Sequence, residues 1–505
     1  MRAVTAAQMR AIDAAAVGRE GEVALMRAAG EAIARLVDEY ARGDGAVVAI
    51  AGAGNNGGDA YAALAAYGGP RTRIVYGDPQ AEGSPARRDA RERARIAGVE
   101  ERALPPDVAT LHDAALVLDG VLGANARLPL DAGSARLVEA INASGAPVLA
   151  LDVPTGVDPT TGAIDGLAVR ATATIALGRP KLGCLREEAR AHVGMLWCAP
   201  IGMRDDDARG VDDPPSSVMT AAEFTALLPR RPLDADKRSS GAPLVVAGSA
   251  QFPGAAVLCA WGAARAGAGY VTVAAPAAAA ETLRAHLIEQ VVVTYDEDDA
   301  EGAARTILDL TGRCTSIAIG PGMGLSDTLG EIVNTVLAQT TLPVVADASA
   351  LYHLSKRLGA YRDKLLVLTP HAGEFARLSG KGTIAPGERL ARLRAFVDQH
   401  GIVTLLKGAT TLIAARDATH CNPTGTNALA TAGTGDVLSG VIATLLSQGL
   451  SPVDAARTGA YWHGLAGALA ASQRKRGVVA HDVAEALGPA SQPDCDEGPA
   501  FRIFL

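Results

Sequence analysis

Cysteine, basic runs and long uninterrupted apolar stretches are all scarce or missing in this sequence, and each absence argues against a class of protein. The six cysteines stand singly at positions 184, 198, 259, 314, 421 and 495, with no C-x-x-C pair and no histidine at zinc-finger spacing. That pattern speaks for reduced thiols, several of them core filler, and against a disulfide framework or a structural zinc site. No Lys/Arg-rich run occurs and the formal net charge is -8, so nucleic acid and membrane are not expected partners and a small molecule is. Met1 to Ala16 has no basic segment followed by an apolar block, and its Thr5-x-x-Gln8 pattern reads as a helix capping box rather than an export signal. The most apolar stretch, Ala255 to Ala280, contains Arg265 and much Ala and Gly, which predicts a packed helix followed by a strand rather than a membrane span. A cytoplasmic enzyme, assembled as a homo-oligomer, is the expectation.

What is present is enough apolar residue for more than one core. With 505 residues, 49% hydrophobic and 20% charged, two folded domains are expected. The segment RDDDARGVDDPPSS between Met203 and Ser217 joins acidic residues to paired prolines and reads as a linker. Thr220-x-x-Glu223 then repeats the capping-box signal ahead of Phe224, Leu227 and Leu228. These signals predict domains at 1–208 and 218–505. Short apolar runs alternate with alanine-rich helical segments: Val47–Ala51, Arg73–Tyr76, Ala115–Leu118, Pro147–Leu151 and Ala173–Leu177 in the first domain. The second has Pro243–Ala247, Val271–Ala274, Ser316–Ile319, Val344–Ala346, Leu365–Leu368 and Val403–Leu406. Both read as α/β, with mostly parallel sheets and ligands beyond the carboxyl ends of the strands.

In the first domain, Gly52-Ala53-Gly54-Asn55-Asn56-Gly57 follows a strand in the G-x-G-x-x-G spacing of a dinucleotide fingerprint. The continuation Gly58-Asp59 opposes that reading, because a carboxylate would compete with a pyrophosphate for the helix N-terminus and suits hydroxyl or amide recognition better. Asp119-Gly120-Val121-Leu122-Gly123 and Asp152-Val153-Pro154-Thr155-Gly156-Val157-Asp158 fall at two further strand ends. Oxygen ligands without Cys or His suit a hard cation, and a set weighted to neutral oxygens could hold a monovalent one.

TAAQMRAID, LMRAAG, GAGNNGGDA, LDGVLG and LDVPTGVD together resemble the NAD(P)H-hydrate epimerase domain, a Rossmann-like three-layer fold, over nearly all of residues 1–205. The resemblance implies that Asn56, Asp119 and Thr155 hold a potassium ion. It also implies that Asn55, Asn56, Gly57, Gly58 and Asp59 contact the hydrate, together with Gly123, Ala124, Asn125, Ala126, Arg127, Leu128, Pro129 and Asp152. Asp119 is the candidate for proton transfer. No lysine follows the strand ending at Tyr76, where some members carry one.

In the second domain, Thr426 to Asp436 ends in Gly433-Thr434-Gly435-Asp436 ahead of an apolar helical run, Val437 to Leu446. Small residues let backbone N–H groups approach an anion at a helix N-terminus, and Asp436 could accept a hydroxyl proton during phosphoryl transfer or merely cap the helix. Leu405-Leu406-Lys407-Gly408-Ala409-Thr410-Thr411-Leu412-Ile413 reads as strand, turn, strand, either a nucleotide contact or an ordinary hairpin. No G-x-x-x-x-G-K-[ST] sequence occurs, which disfavours a P-loop kinase. Together the two segments look like the ribokinase-like superfamily.

LVVAGS at 244–249, ARAGAG at 264–269, IGPGMG at 319–324, LTPHAGEF at 368–375 and AYWHGLAG at 460–467 narrow this to a resemblance to the NAD(P)H-hydrate dehydratase domain. It implies that Ala255, Gly324, His371 and Asp436 contact the hydrate and that Lys407, Gly408, Ala409, Thr410, Thr411 and Gly435 contact ADP or ATP. Magnesium is implied as well, with Ser349 standing where D-A-D-A-L is usual. The function implied is repair of hydrated NADH and NADPH, by epimerisation and nucleotide-dependent dehydration of the S hydrate. The rival reading is a hydroxymethylpyrimidine or sugar kinase fused to a non-catalytic nucleotide-binding module.

Overall fold

The computed structural model describes residues 1–126, 128–204, 207, 216–474, 476–493 and 500–503. Most of the acidic, proline-containing segment expected to be a linker lies outside the described residues. The chain divides at Ser216/Ser217 into two compact units.

The first unit is built on β1 (Val47–Ala51), β2 (Arg73–Gly77), β3 (Glu100–Ala103), β4 (Leu116–Gly120), β5 (Val148–Leu151), β6 (Ala173–Leu177) and β7 (Met195–Ala199). They run parallel in the order 3-2-1-4-5-6-7. Helices cover both faces, as the β1 side chains show: Val47, Ala49 and Ala51 enter one core, Val48 and Ile50 the other. A C-terminal strand, Phe501–Arg502, pairs antiparallel with β7, placing Phe501 opposite Cys198. The expected second domain of 218–505 is therefore corrected at its end, because these residues complete the first sheet. The helices that matter for the site are α1 (Ala6–Glu20), α2 (Glu22–Tyr40) and α3 (Asn55–Ala66). Thr5 and Gln8 form the expected capping box at α1.

The second unit carries β8 (Pro243–Val246), β9 (Thr272–Pro276), β10 (Val291–Tyr295), β11 (Ser316–Ile319), β12 (Val344–Ala346), β13 (Leu366–Leu368), β14 (Val403–Leu406), β15 (Thr411–Ala415) and β16 (Ala418–Asn422). Their order is 10-9-8-11-12-13-14-15-16, parallel through β14 and antiparallel beyond it. In both sheets the strand order reverses beside the first strand, at β1/β4 and at β8/β11. Such a reversal opens a crevice at the carboxyl ends of the strands.

Three helices pack behind the second crevice: α4 (Pro253–Arg265), α5 (Thr434–Ser447) and α6 (Pro452–Arg474). Every residue of α5 from Val437 to Leu446 is buried, so it is apolar all round rather than amphipathic. Its contact with α4 depends on paired glycines. A Cβ on Gly440 would stand 2.0 Å from the Cys259 carbonyl oxygen, and one on Gly262 would stand 2.3 Å from that of Val437. Among the described residues no helix is long and apolar enough to cross a membrane.

Candidate active sites

The β1/β4 reversal brings the loop after β1 against the loop after β4. A Cβ on Gly52 would lie 2.0 Å from the Val121 carbonyl oxygen, so only glycine permits the approach. Above these loops is a cavity of about 680 Å³ whose wall includes Asn55, Asn56, Asp59, Gly123–Ala126 and Asp152. These expected residues are brought together. Gly57 and Gly58 are not in the wall: they are buried in α3, against the Gly52 backbone and the Met26 side chain. Leu128 and Pro129 also lie outside it, and Arg127 is outside the described residues. α3 starts at Asn55, which places Asp59 in its second turn rather than at the N-terminus where it was expected to compete with an anion. Burial, reinforced by the charge of Asp152, pushes the Asp59 carboxyl well above its ordinary value.

Asp119 sits beneath the wall, fully buried, accepting from the Thr155 hydroxyl (2.7 Å), Thr155 N (2.9 Å) and Val121 N (3.3 Å). Enclosed in this way it lies outside the cavity wall, away from where its expected role in proton transfer would place it. The same enclosure suits a cation. Asn56 donates from Nδ2 to the Leu122 carbonyl (3.0 Å), while its Oδ1 is buried without a partner. An orphaned amide oxygen, a carboxylate and a hydroxyl on adjoining loops fit an oxygen-coordinated ion. Among the described residues no group of three His, Cys, Asp or Glu could hold a metal.

Two cavity residues escaped the sequence reading. Lys181, only 1% exposed, pairs with Asp152 and donates to the Leu177 carbonyl at 2.7 Å. Asp152 has φ +70 and also accepts from Leu177 N (3.2 Å) and Ala124 N (3.2 Å), so it anchors the loop after β4. Asp13 is the other, one i, i+4 step from Met9 and Val17 along the stripe of α1 that faces the cavity.

In the second unit the strand ends meet in the same way. The Lys407 N–H donates to the Pro370 carbonyl (2.8 Å), tying the β14–β15 turn to the end of β13. Asp347, just after β12, accepts from Lys407 Nζ (2.8 Å), Ser439 Oγ (2.8 Å) and Ala348 N (2.9 Å). Burial works to lower the Lys407 pKa, but Asp347, Glu374 and Asp436 outweigh it and hold the ammonium charged. Gly435 adjoins this network, since its Cβ would lie 3.4 Å from Lys407 Nζ. Asp436, in the first turn of α5, is raised to about 7 by burial and by the Asp347 carboxylate, with Lys407 opposing. A carboxyl titrating near neutrality is poised to take a proton.

Ala255 packs beside the Gly320–Gly324 loop, within 2.8 Å of a Cβ built on Gly322. Ser349 accepts from Gly324 N (3.1 Å), and His353 donates to the Gly324 carbonyl (3.1 Å), so both side chains brace that loop. His371 caps the helix Ala372–Ser379, its Nδ1 accepting from Gly373 N (3.0 Å) and Glu374 N (3.3 Å), while its Nε2 lies 3.5 Å from the Glu374 carboxylate. In the β14–β15 turn Gly408 and Ala409 form the exposed tip, whereas Thr410 is buried and turned from the tip. Buried Arg389 holds this turn through the Lys407 (2.9 Å) and Leu406 (3.4 Å) carbonyls.

Two family models match the chain, each within one unit: one described as the YjeF-related protein N-terminus over residues 22–183, the other as NAD(P)H-hydrate dehydratase over 243–489. The bifunctional NAD(P)H-hydrate repair enzyme of Pyrobaculum aerophilum is 34% identical over 478 residues, covering 92% of this chain and 92% of its own. That of Moorella thermoacetica is 34% identical over 510 residues, covering 96% of each. The chain belongs to the bifunctional NAD(P)H-hydrate repair enzyme family.

An ADP/ATP-dependent NAD(P)H-hydrate dehydratase from Bacillus subtilis is 31% identical, covering 54% of this chain and 97% of that chain, with a TM-score of 0.49. Membership of the repair family gives Lys181 its interest. No lysine follows β2, where some members of the family were expected to carry one, whereas the cavity receives its lysine from the loop after β6.

Proposed function

We propose that this chain restores hydrated NADH and NADPH, the first unit interconverting the R and S hydrates and the second dehydrating the S hydrate with ADP or ATP. The observation that carries the reading is Asp436 at the N-terminus of the buried helix α5, titrating near 7 beside the Lys407–Asp347 pair. A hydrate bears a hydroxyl on the reduced nicotinamide ring, and hydroxide is a poor leaving group. Asp436 accepts the hydroxyl proton as that oxygen attacks the terminal phosphoryl group, and the Gly433–Gly435 amides and Lys407 stabilise the charge that develops. Phosphate then leaves as a neighbouring ring carbon gives up a proton, and the double bond returns.

Lys407, Gly408, Ala409, Thr411 and Gly435 bind the nucleotide, with Thr410 contributing only backbone. Ala255, Gly324 and His371 border the hydrate. Magnesium, if bound with the nucleotide, would offset the phosphate charge, and Asp347 is already committed to Lys407 and Ser439. In the first unit Asn56, Asp119 and Thr155 would hold a potassium ion, which would supply fixed positive charge to the site. The test is a product balance: hydrated NADH with ADP yields NADH, AMP and inorganic phosphate in equal amounts. A stable phosphorylated hydrate in place of NADH contradicts the proposal and identifies a simple kinase.

A further inference from the structure

We propose that Asp13, contributed by α1, is the catalytic residue that moves the proton during epimerisation of the hydrate, an assignment that rests on the repair reading above. Its position comes first. Met9, Asp13 and Val17 succeed one another at i, i+4 spacing on the stripe of α1 that lines the cavity of about 680 Å³. The Asp13 carboxyl has no hydrogen bond or ion pair among the described residues. Both its oxygens are therefore available to a ligand.

The other carboxyl groups near the cavity are differently employed, beginning with Glu22, which accepts from the Asn55 amide (2.9 Å). Asp152 is neutralised by Lys181 and accepts two backbone N–H groups besides. Asp119 is enclosed beneath the wall by Thr155 and Val121. Asp59 is pushed well above its ordinary value by burial and by the neighbouring charge of Asp152, which disfavours the carboxylate form that a base needs. Burial raises the Asp13 carboxyl to about 6, with Lys181 opposing and Asp152 adding to the shift. It can thus take up and release a proton near neutral pH.

The chemistry asks for one such group. Water adds to an enamine at the carbon next to nitrogen, so the hydrate's hydroxyl stands on a carbon that also bears the ring nitrogen. That centre inverts without redox chemistry. The hydroxyl proton passes to the Asp13 carboxylate, the O–H electron pair forms a carbonyl, and the electron pair of the C–N bond departs to nitrogen. Asp13 hands the same proton to that nitrogen. Rotation about the carbon–carbon bond beside the new aldehyde presents its other face. Nitrogen attacks there, its proton returns through Asp13 to the oxygen, and the ring closes as the other epimer with every atom and electron accounted for.

The experiment measures interconversion of separated R and S hydrates by the full chain without nucleotide, in the wild type and in Asp13→Asn and Asp13→Ala, so that failure of one variant to fold leaves the other. Asp13→Asn is expected to lower kcat for epimerisation by roughly 100-fold or more with KM within a few-fold. Formate, entering the space left by the side chain, is expected to restore part of the activity of Asp13→Ala, which a merely structural role would not allow. Dehydration of the S hydrate should be unchanged in both. Retained kcat in either folded variant, or loss in Asp13→Ala that formate does not relieve, overturns the assignment of Asp13. A wild-type chain that does not interconvert the hydrates overturns instead the reading on which it rests.

Discussion

At the scale of single residues, charge and burial are set against each other in both units, and the outcome decides which groups can carry protons. Asp436 is the clearest case, because its carboxyl is raised from 3.8 to about 7 chiefly by burial. Dehydration should therefore rise with pH through about 7, as the base becomes available, and Asp436→Asn should lower it by roughly 100-fold or more above that pH, with the gap narrowing as pH falls. The same shift has a stability consequence of definite sign. A raised carboxyl favours the folded state fully below 3.8, and that advantage is lost as pH rises through about 7. Asp436→Asn should accordingly raise the melting temperature at pH 8 relative to the wild type and lose that advantage at pH 4. An equal effect at both pH values contradicts the assigned shift.

Residues of this kind were only partly legible in the sequence. Asp436, Asn56 and Asp152 announce themselves because each follows a glycine-rich or strand-end motif. Asp13 and Lys181 do not. Asp13 closes the TAAQMRAID segment, but a carboxylate on an alanine-rich helix reads as a solvated face, and a lysine after a proline reads as surface. Only the folded packing of α1 and the loop after β6 brings both to the cavity. Asp119 is the converse case: its strand-end motif stands out in the sequence, whereas its enclosure does not.

At the scale of elements, strands buried on both faces were legible and edge strands were not. Val47–Ala51 and Ala173–Leu177 are continuous apolar runs with every residue buried, and their limits match the expectation. β3 is the charged run Glu100–Ala103 on the sheet edge, so it lacks the apolar signal of a covered strand. The glycines that set helix contact were also silent until the structure was known. Gly440→Ala forces α5 away from the Cys259 carbonyl, and overpacking of this kind costs about 1–3 kcal/mol. Because α5 carries Asp436, dehydration should fall along with stability while epimerisation is retained. Chemical denaturation read beside both activities checks this; equal loss of the two activities would place the effect elsewhere.

At the scale of the whole molecule, the chain's last described strand belongs to its first unit. The polar segment before Ser216 suggested two separable pieces, 1–208 and 218–505, but Phe501–Arg502 pairs with β7 and the Ile503 N–H donates to the Leu196 carbonyl (2.7 Å). A fragment ending near Arg209 leaves the outer edge of β7 unpaired, an invitation to self-association. Such a fragment should melt lower than the first unit in the full chain and elute as a larger species, and adding a peptide spanning 500–505 should reverse both. Unchanged melting and elution would show that the strand is dispensable.

The central claim, that two chemistries in one chain serve one damaged molecule, is tested most directly with an equilibrated mixture of R and S hydrates and excess ADP. Absorbance of the reduced nicotinamide should return for the whole mixture, in a single course under sufficient wild-type chain. With Asp13→Asn it should return at once only for the S fraction and then crawl. Wild-type recovery that stops at the S fraction, or no recovery at all, contradicts the account.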